Sequence, residues 1–484
     1  MFRKMISKYN NFPVQIKASF WFLVCSFLQK AISVITTPIF TRLMANSDYG
    51  RYGSFNSWYG IITIIVTLSL SSGVHTQGLV KFSEEKDQFT SSLLGLTTVL
   101  LFFWVLIYLC FTNDINRLLN LSTNQVFVML AIIWATASFN FWANYQRVTY
   151  SYKPLIFLTL IVSIFKPIIE ILFVKNMEDK TMGRIIGWLI ADILVYSLLY
   201  FALIKKGRTF YSKKYWVYAI MFNLPLIPHY LSQTILNGAD RIMIERIIGE
   251  AEGGIYNLAY QLSMIMTLFN TALMHTISPW IYQKIKDKKT DQIANVAYST
   301  IVLIALVNLA LILLAPEAVR IFAPESYHAA IWIIPPVAMS VYFMYLYDLF
   351  AKFAFYYEKT TLIMIASLFG AILNIILNNI LLRSFGYISA GYTTLICYML
   401  YALGHYIFMR KVCRDCCDRV YPYQTKIILG ITIVFVTFGF AFLGTYNFPI
   451  IRYGIVLLLL VVMFVKRKDL LQFGKKLISL KKTT

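Results

Sequence analysis

Apolar runs of roughly helical-span length recur from one end of the chain to the other, separated by short polar stretches. About 20 apolar residues in a helix cross the bilayer hydrocarbon. By that measure the pattern predicts about fourteen spans, near 17–41, 54–74, 90–111, 125–145, 153–174, 183–204, 216–237, 254–277, 296–315, 328–350, 360–382, 386–409, 426–444 and 447–465. The connections are short, no soluble domain is inserted, and no low-complexity segment appears. The expected fold class is an all-α polytopic membrane protein.

The seventh predicted span departs from the others. In FNLPLIPHYLSQTILNGADR (222–241), Pro225 and Pro228 remove backbone donors and break the helix early, while Asn223, His229, Ser232, Gln233 and Asn237 add polar groups. Hydrocarbon offers no water to freed carbonyls, so such a break belongs where backbone is buried in protein or lines a polar cavity. The Asp240-Arg241 pair closes the span, and a charged loop leads to an expected turn at Gly253-Gly254. Two readings stand side by side: the wall of a transport pathway with Asn223, Pro225, Pro228, His229 and Gln233 as hinge and lining, or an ordinary helix with two tolerated prolines. His229 is in turn either a proton switch or a satisfied neutral histidine.

Composition narrows the class. The 484 residues are 59% hydrophobic and 14% charged, whereas soluble domains carry about 25% charged residues. The net charge of +22 raises nucleic-acid binding as an option, but its distribution argues against it. With the N-terminus in the cytoplasm, most Lys and Arg fall on inner segments: 205–214, 283–289, 410–419 and the tail 466–482. That is the positive-inside pattern, and an even number of spans returns both termini to the cytoplasm. The tail also reads as a basic amphipathic segment for a membrane surface. Arg3, Lys4 and Lys8 precede a long apolar run without a small-residue cleavage site, so the first span is expected to be retained. Cys413, Cys416 and Cys417 are expected on one short basic cytosolic loop with no second pair or His to complete a zinc site, and read as reduced thiols.

The chain also repeats. Shifted by 204 positions, TRLMANSDYGRYGSF (41–55) overlies ERIIGEAEGGIYNLA (245–259), matching Gln29 with Gln233, Arg42 with Arg246, Gly50 with Gly254 and Tyr52 with Tyr256. Two lobes of six spans, 1–210 and 211–412, follow, with 413–484 as a C-terminal helix pair and basic tail. An even number of spans per lobe makes the repeat parallel.

Ionisable residues at span depth cost about 2.5–3.5 kcal/mol on insertion scales and face protein or water. Lys30, Lys166, Glu170 and Asp192 are the deepest; Asp240, Arg241, Asp348 and Lys352 lie at the rim or in the seventh and tenth spans. Lys166 and Glu170 stand four apart, as do Asp348 and Lys352, so each can form an ion pair on one helix face. Lys30 either points into a cavity as an anion site or snorkels. Asp192 either carries a proton or pairs with Lys30 or Lys166 across the bundle. Asn140/Asn144 and Asn374/Asn378 suit interhelical bonding or sugar hydroxyls, the former being the commoner use. No phosphate-binding loop and no H-E-x-x-H motif is present, so neither a catalytic set nor a metal or cofactor is expected.

These motifs carry a resemblance. LPLIPHYLSQTILNGADRIMIERIIGEAEGGIYNLAY (224–260), TPIFTRLMANSDYGRYGSF (37–55) and GAILNIILNNILLRSFGYISAGYTTLICY (370–398) resemble the Wzx-type flippases of O-antigen and capsule repeat units, within the multidrug/oligosaccharidyl-lipid/polysaccharide exporter superfamily. The resemblance implies two six-helix lobes around a cavity open alternately to each side. It implies a cargo of undecaprenyl pyrophosphate bearing an oligosaccharide, moved from the inner to the outer leaflet of the bacterial cytoplasmic membrane, and H+ or Na+ as coupling ion. Membrane lipids, a polysaccharide polymerase and a chain-length regulator are the other candidate partners, and nucleic acid is not one. Lys30, Lys166, Arg241 and Lys352 are the candidates for the pyrophosphate, and Glu170, Asp192 and Asp240 for ion coupling. Three alternatives remain: a drug/cation antiporter, whose cavity should be acidic and aromatic; a peptidoglycan-precursor flippase, with the same cationic requirement; and a membrane-embedded polysaccharide polymerase, which usually needs a larger external loop than any here.

Overall fold

A computed structural model describes residues 13–417, 420–465 and 467. The N-terminal basic residues Arg3, Lys4 and Lys8, and the tail apart from Arg467, lie outside the described residues. The chain divides into two compact units, Met1–Gly238 and Ala239–Thr484.

In the first unit the apolar runs form α1 (Val14–Leu43), α2 (Asn46–Thr67), α4 (Lys86–Cys110), α6 (Thr123–Val148), α7 (Tyr152–Asn176) and α8 (Lys180–Gly207). Short helices α3 (Gly73–Lys81) and α5 (Thr112–Leu119) connect them, and α9 (Lys213–Asn223) leads to the kinked segment. α6 opens on a capping box, in which Ser122 and Gln125 satisfy each other's backbone donors. α2 is displaced from the predicted 54–74 span, starting at Asn46. It stops at Thr67, where Leu68 and Ser69 take left-handed conformations (φ 49° and 51°). The buried Asn223 carboxamide donates to the Leu68 carbonyl at 2.5 Å and so anchors this end.

The predicted break in the seventh span is present. α9 passes into a 3-10 turn, Leu224–Leu226, and then α10 (Ile227–Ile247), which runs across the boundary between the units. The two prolines force the tighter turn because they cannot donate to the α-ladder. Ser232 donates to the Pro228 carbonyl at 2.7 Å and Asn237 to the Gln233 carbonyl at 2.9 Å, so these two polar side chains serve their own helix backbone.

The second unit continues with α11 (Glu250–Met264), α12 (Thr267–Lys286), α13 (Ile293–Leu313), α14 (Ala315–Phe322), α15 (Ile334–Tyr356), α16 (Thr360–Phe385), α17 (Ser389–Cys416), α18 (Thr425–Leu443) and α19 (Pro449–Val465). The expected Gly253-Gly254 turn is not a turn. Both glycines are buried inside α11, and the reversal falls at Ile248–Gly249, with Glu250 and Glu252 placed favourably in the first turn. The 254–277 span is interrupted at Ile265–Met266, and the 328–350 span starts as a 3-10 helix, Glu325–Trp332, because Pro335 and Pro336 fix the α-helical start later. Cys413 and Cys416 belong to the last turn of α17 instead of a loop.

Among the described residues nine helices are long and apolar enough to cross a bilayer: α1, α4, α6, α7, α8, α13, α15, α16 and α18. The others that match predicted spans are shorter or more polar. The element order repeats as the sequence match requires. α2 and α11 begin at Asn46 and Glu250, 204 positions apart; small insertions raise the offset to 208 for α7 and α16, and to 209 for α8 and α17. The short helices α5 and α14 hold equivalent places.

Candidate functional site: a buried polar centre in each unit

In the first unit the polar centre is built on α7 and α8, which approach closely along Gly183 and Gly187. A Cβ on Gly187 would stand 2.6 Å from the Glu170 Cα, and one on Gly183 2.9 Å from the Phe173 carbonyl oxygen. This small-xxx-small spacing brings two backbones together and lets side chains of the two consecutive helices meet.

Two ion pairs result, and neither is the expected Lys166–Glu170 pair. The Lys166 ammonium lies 3.5 Å from Asp192 and 4.1 Å over the Trp188 ring. Glu170 instead faces Arg184 at 3.4 Å. The Arg184 guanidinium is packed between the rings of Phe40 on α1 (3.7 Å) and Tyr52 on α2 (3.8 Å). The same-helix expectation fails because the glycine seam brings α8 as near to Lys166 and Glu170 as they are to each other. Asp192 is fully enclosed: the Trp188 indole donates to its Oδ2 at 2.8 Å and Thr136 of α6 at 3.2 Å. Its Oδ1 has no hydrogen-bond donor and meets only the ammonium. Of the two cations, Lys166 is the freer, with 26% of its side chain exposed against 11% for Arg184. It opens into a crease of about 170 Å³ between α7 and α8, otherwise lined by apolar side chains such as Val162, Ile169, Ala191 and Val195.

In the second unit the centre is Asp240 of α10, which is 2% exposed. Three neutral groups donate to it: Tyr256 of α11 at 2.6 Å, Thr394 of α17 at 2.7 Å, and Asn378 of α16 at 2.6 Å. Asn378 also reaches Asn374 at 3.3 Å within α16, and its bond to Asp240 of α10 is the interhelical use expected of that pair. Arg241 stacks on Tyr260 at 4.6 Å. Lys352 and Asp348 form the predicted pair at 2.6 Å, on α15.

The remaining sequence-predicted residues are dispersed. Lys30 is exposed on α1 and makes no ion pair among the described residues. His229 is half-buried with its Nδ1 unpartnered, near the Tyr230 ring. Gln233 lies half-buried on α10, whereas Pro225 and Pro228 are exposed. Arg184 is the residue sequence reasoning missed. Its place on the same predicted helix as Asp192, directly after Gly183, was the available signal.

The helical repeat and the nine long apolar helices among the described residues define a multi-pass membrane protein. A solved structure of the lipid II flippase MurJ in an inward closed conformation matches with a TM-score of 0.66 at 16% identity, covering 92% of this chain and 99% of that one. An inward-facing multidrug resistance MATE family transporter matches with a TM-score of 0.62 at 12% identity, covering 81% and 96%. At these identities the likeness is one of fold. The family model for polysaccharide biosynthesis proteins matches residues 16–285, more than half of the chain, and the chain belongs to that family; the MatE model matches 225–380. Lsg locus putative protein 1 of Haemophilus influenzae is 23% identical over 374 residues, 74% of this chain and 88% of that protein.

Proposed function

We propose that this transporter flips undecaprenyl-pyrophosphate-linked oligosaccharide repeat units from the inner to the outer leaflet of the bacterial cytoplasmic membrane, by ion-coupled alternating access between two six-helix lobes. The observation that carries the reading is Lys166: a cation midway along an apolar helix, held by one carboxylate oxygen and open to an apolar crease. Ionisable residues at that depth pair with one another or face water, and they mark substrate and ion pathways. A pyrophosphate on a polyprenyl chain combines the two features the crease offers, a negative head and an apolar tail. Lys30, exposed and without an ion-pair partner among the described residues, is the second candidate contact, with Arg241 and Lys352 behind it.

Among the coupling candidates, Glu170 and Asp192 are each committed to a fixed cation, whereas Asp240 is met by hydroxyl and carboxamide groups. A buried carboxylate met by neutral hydroxyl and carboxamide groups, and not by a fixed cation, suits uptake of a proton or a small monovalent cation. We therefore assign coupling to Asp240 in preference to the other two. A peptidoglycan-precursor flippase would use the same head-group chemistry, and the family match to polysaccharide biosynthesis proteins favours the repeat-unit cargo.

The test is complementation of a strain lacking its repeat-unit flippase. The wild-type chain should restore surface glycan, and Lys30→Ala and Lys166→Ala should accumulate in the membrane without restoring it. Full surface glycan from both variants would refute the cationic-contact assignment.

A further inference from the structure

Lys166 has two carboxylates within its reach. Glu170 stands four residues ahead on the same helix, the spacing at which a Lys and a Glu ordinarily pair. Asp192 stands on the neighbouring helix. The ammonium nevertheless meets Asp192 alone, at 3.5 Å, and only through the oxygen that carries no hydrogen-bond donor. The other Asp192 oxygen is occupied by Trp188 and Thr136. Glu170 is kept away by Arg184, and Arg184 is itself fixed by the Phe40 and Tyr52 rings on either side of its guanidinium. Arg184 is nearly enclosed, so it does not meet cargo directly. Lys166 is the one charged side chain lining the α7–α8 crease.

We infer that Arg184 is a positioning residue: it sequesters Glu170 so that Lys166 is held by a single, half-occupied carboxylate and stays available to an anion in the crease. Without Arg184, Glu170 and Asp192 together clamp the ammonium and draw it out of the crease. The link from an available Lys166 to transport rests on the cargo reading proposed above; the control of Lys166 by Arg184 does not.

The experiment compares wild type, Arg184→Gln and Arg184→Gln/Glu170→Gln in the full-length protein reconstituted into vesicles. Lys166 availability is read by acetylation with acetic anhydride and mass spectrometry of the Lys166 peptide, with export measured in parallel by complementation. Lys166 acetylation should fall severalfold in Arg184→Gln and return to the wild-type level in the double variant, and export should follow the same order. A merely structural ion pair would also regain abundance when the second charge is removed, so the deciding readout is the acetylated fraction of Lys166 in the protein that accumulates. If Arg184→Gln does not accumulate, the double variant still decides: wild-type acetylation supports the inference, and low acetylation overturns it. Unchanged acetylation in Arg184→Gln also overturns it. Acetylation that falls and recovers while export stays constant keeps the positioning role and refutes the contact between Lys166 and cargo.

Discussion

The two units carry the same helical repeat and place a polar centre at the same point of it, yet the centres differ in charge. At the offset of 208, Lys166 and Glu170 on α7 correspond to Asn374 and Asn378 on α16. At 204, Tyr52 corresponds to Tyr256, and each tyrosine touches the buried centre of its own unit. Tyr52 offers a ring face to a guanidinium. Tyr256 offers its hydroxyl to a carboxylate. The first unit thus encloses two ion pairs, and the second encloses one carboxylate among neutral donors. A duplicated scaffold keeps the location of burial while the chemistry placed there diverges. On the proposed function, the first centre serves an anionic cargo and the second a small cation.

The sharpest break of this comparison is Asp240→Ala. It leaves the Tyr256, Thr394 and Asn378 donors without their acceptor in a buried site, at about 1–3 kcal/mol for each group left unsatisfied. Thermal unfolding in detergent should drop by more than for any other single change here, and export should lose its dependence on an ion gradient. A smaller effect separates the two tyrosines. Tyr256→Phe removes a hydrogen bond to a charged group, worth about 1.5–3 kcal/mol. Tyr52→Phe keeps the ring against Arg184 and should stay within about 0.5 kcal/mol of wild type. Equal losses from both would mean that the tyrosines play one role, and the contrast between the centres would fail.

The smallest expected effect lies outside both centres. Ahead of α4, the Lys214 ammonium (2.7 Å) and then the Tyr215 hydroxyl hold the exposed Glu85 carboxylate below its ordinary range. A carboxylate whose folded-state value is depressed contributes stability above its unfolded value and loses it as pH falls through the folded one. Glu85→Gln should therefore be slightly less stable than wild type near neutrality, and the difference should vanish on acidification below the carboxylate range. A gap that widens on acidification would contradict the assignment.

Much of this was legible in the sequence, and what was missed has physical causes. Apolar runs anticipated the nine long apolar helices among the described residues because hydrocarbon thickness fixes their length, whereas the 54–74 span is displaced and the 254–277 span interrupted. The proline pair announced the 3-10 turn at Leu224–Leu226, and the 204-residue match anticipated the common element order. One of the two partners expected for Asp192, Lys166, is its partner in the structure. Local spacing misled where helices approach closely. Lys166 and Glu170 look like an i, i+4 pair, but the Gly183/Gly187 seam brings other partners as near. Arg184 lies close to the start of α8, where a basic residue reads as belonging to the interface. The donors to Asp240 lie 16, 138 and 154 positions away, beyond the reach of any local pattern. Gly253 and Gly254 read as a turn because glycine permits one, while here its small size serves burial within α11.

The most direct test of the central claim is leaflet-to-leaflet movement of an undecaprenyl-pyrophosphate-linked oligosaccharide in vesicles containing the purified protein, comparing wild type with Lys166→Gln. The account predicts movement by wild type and none by Lys166→Gln, with both proteins unfolding at similar temperatures. Movement at the wild-type rate by Lys166→Gln would contradict it.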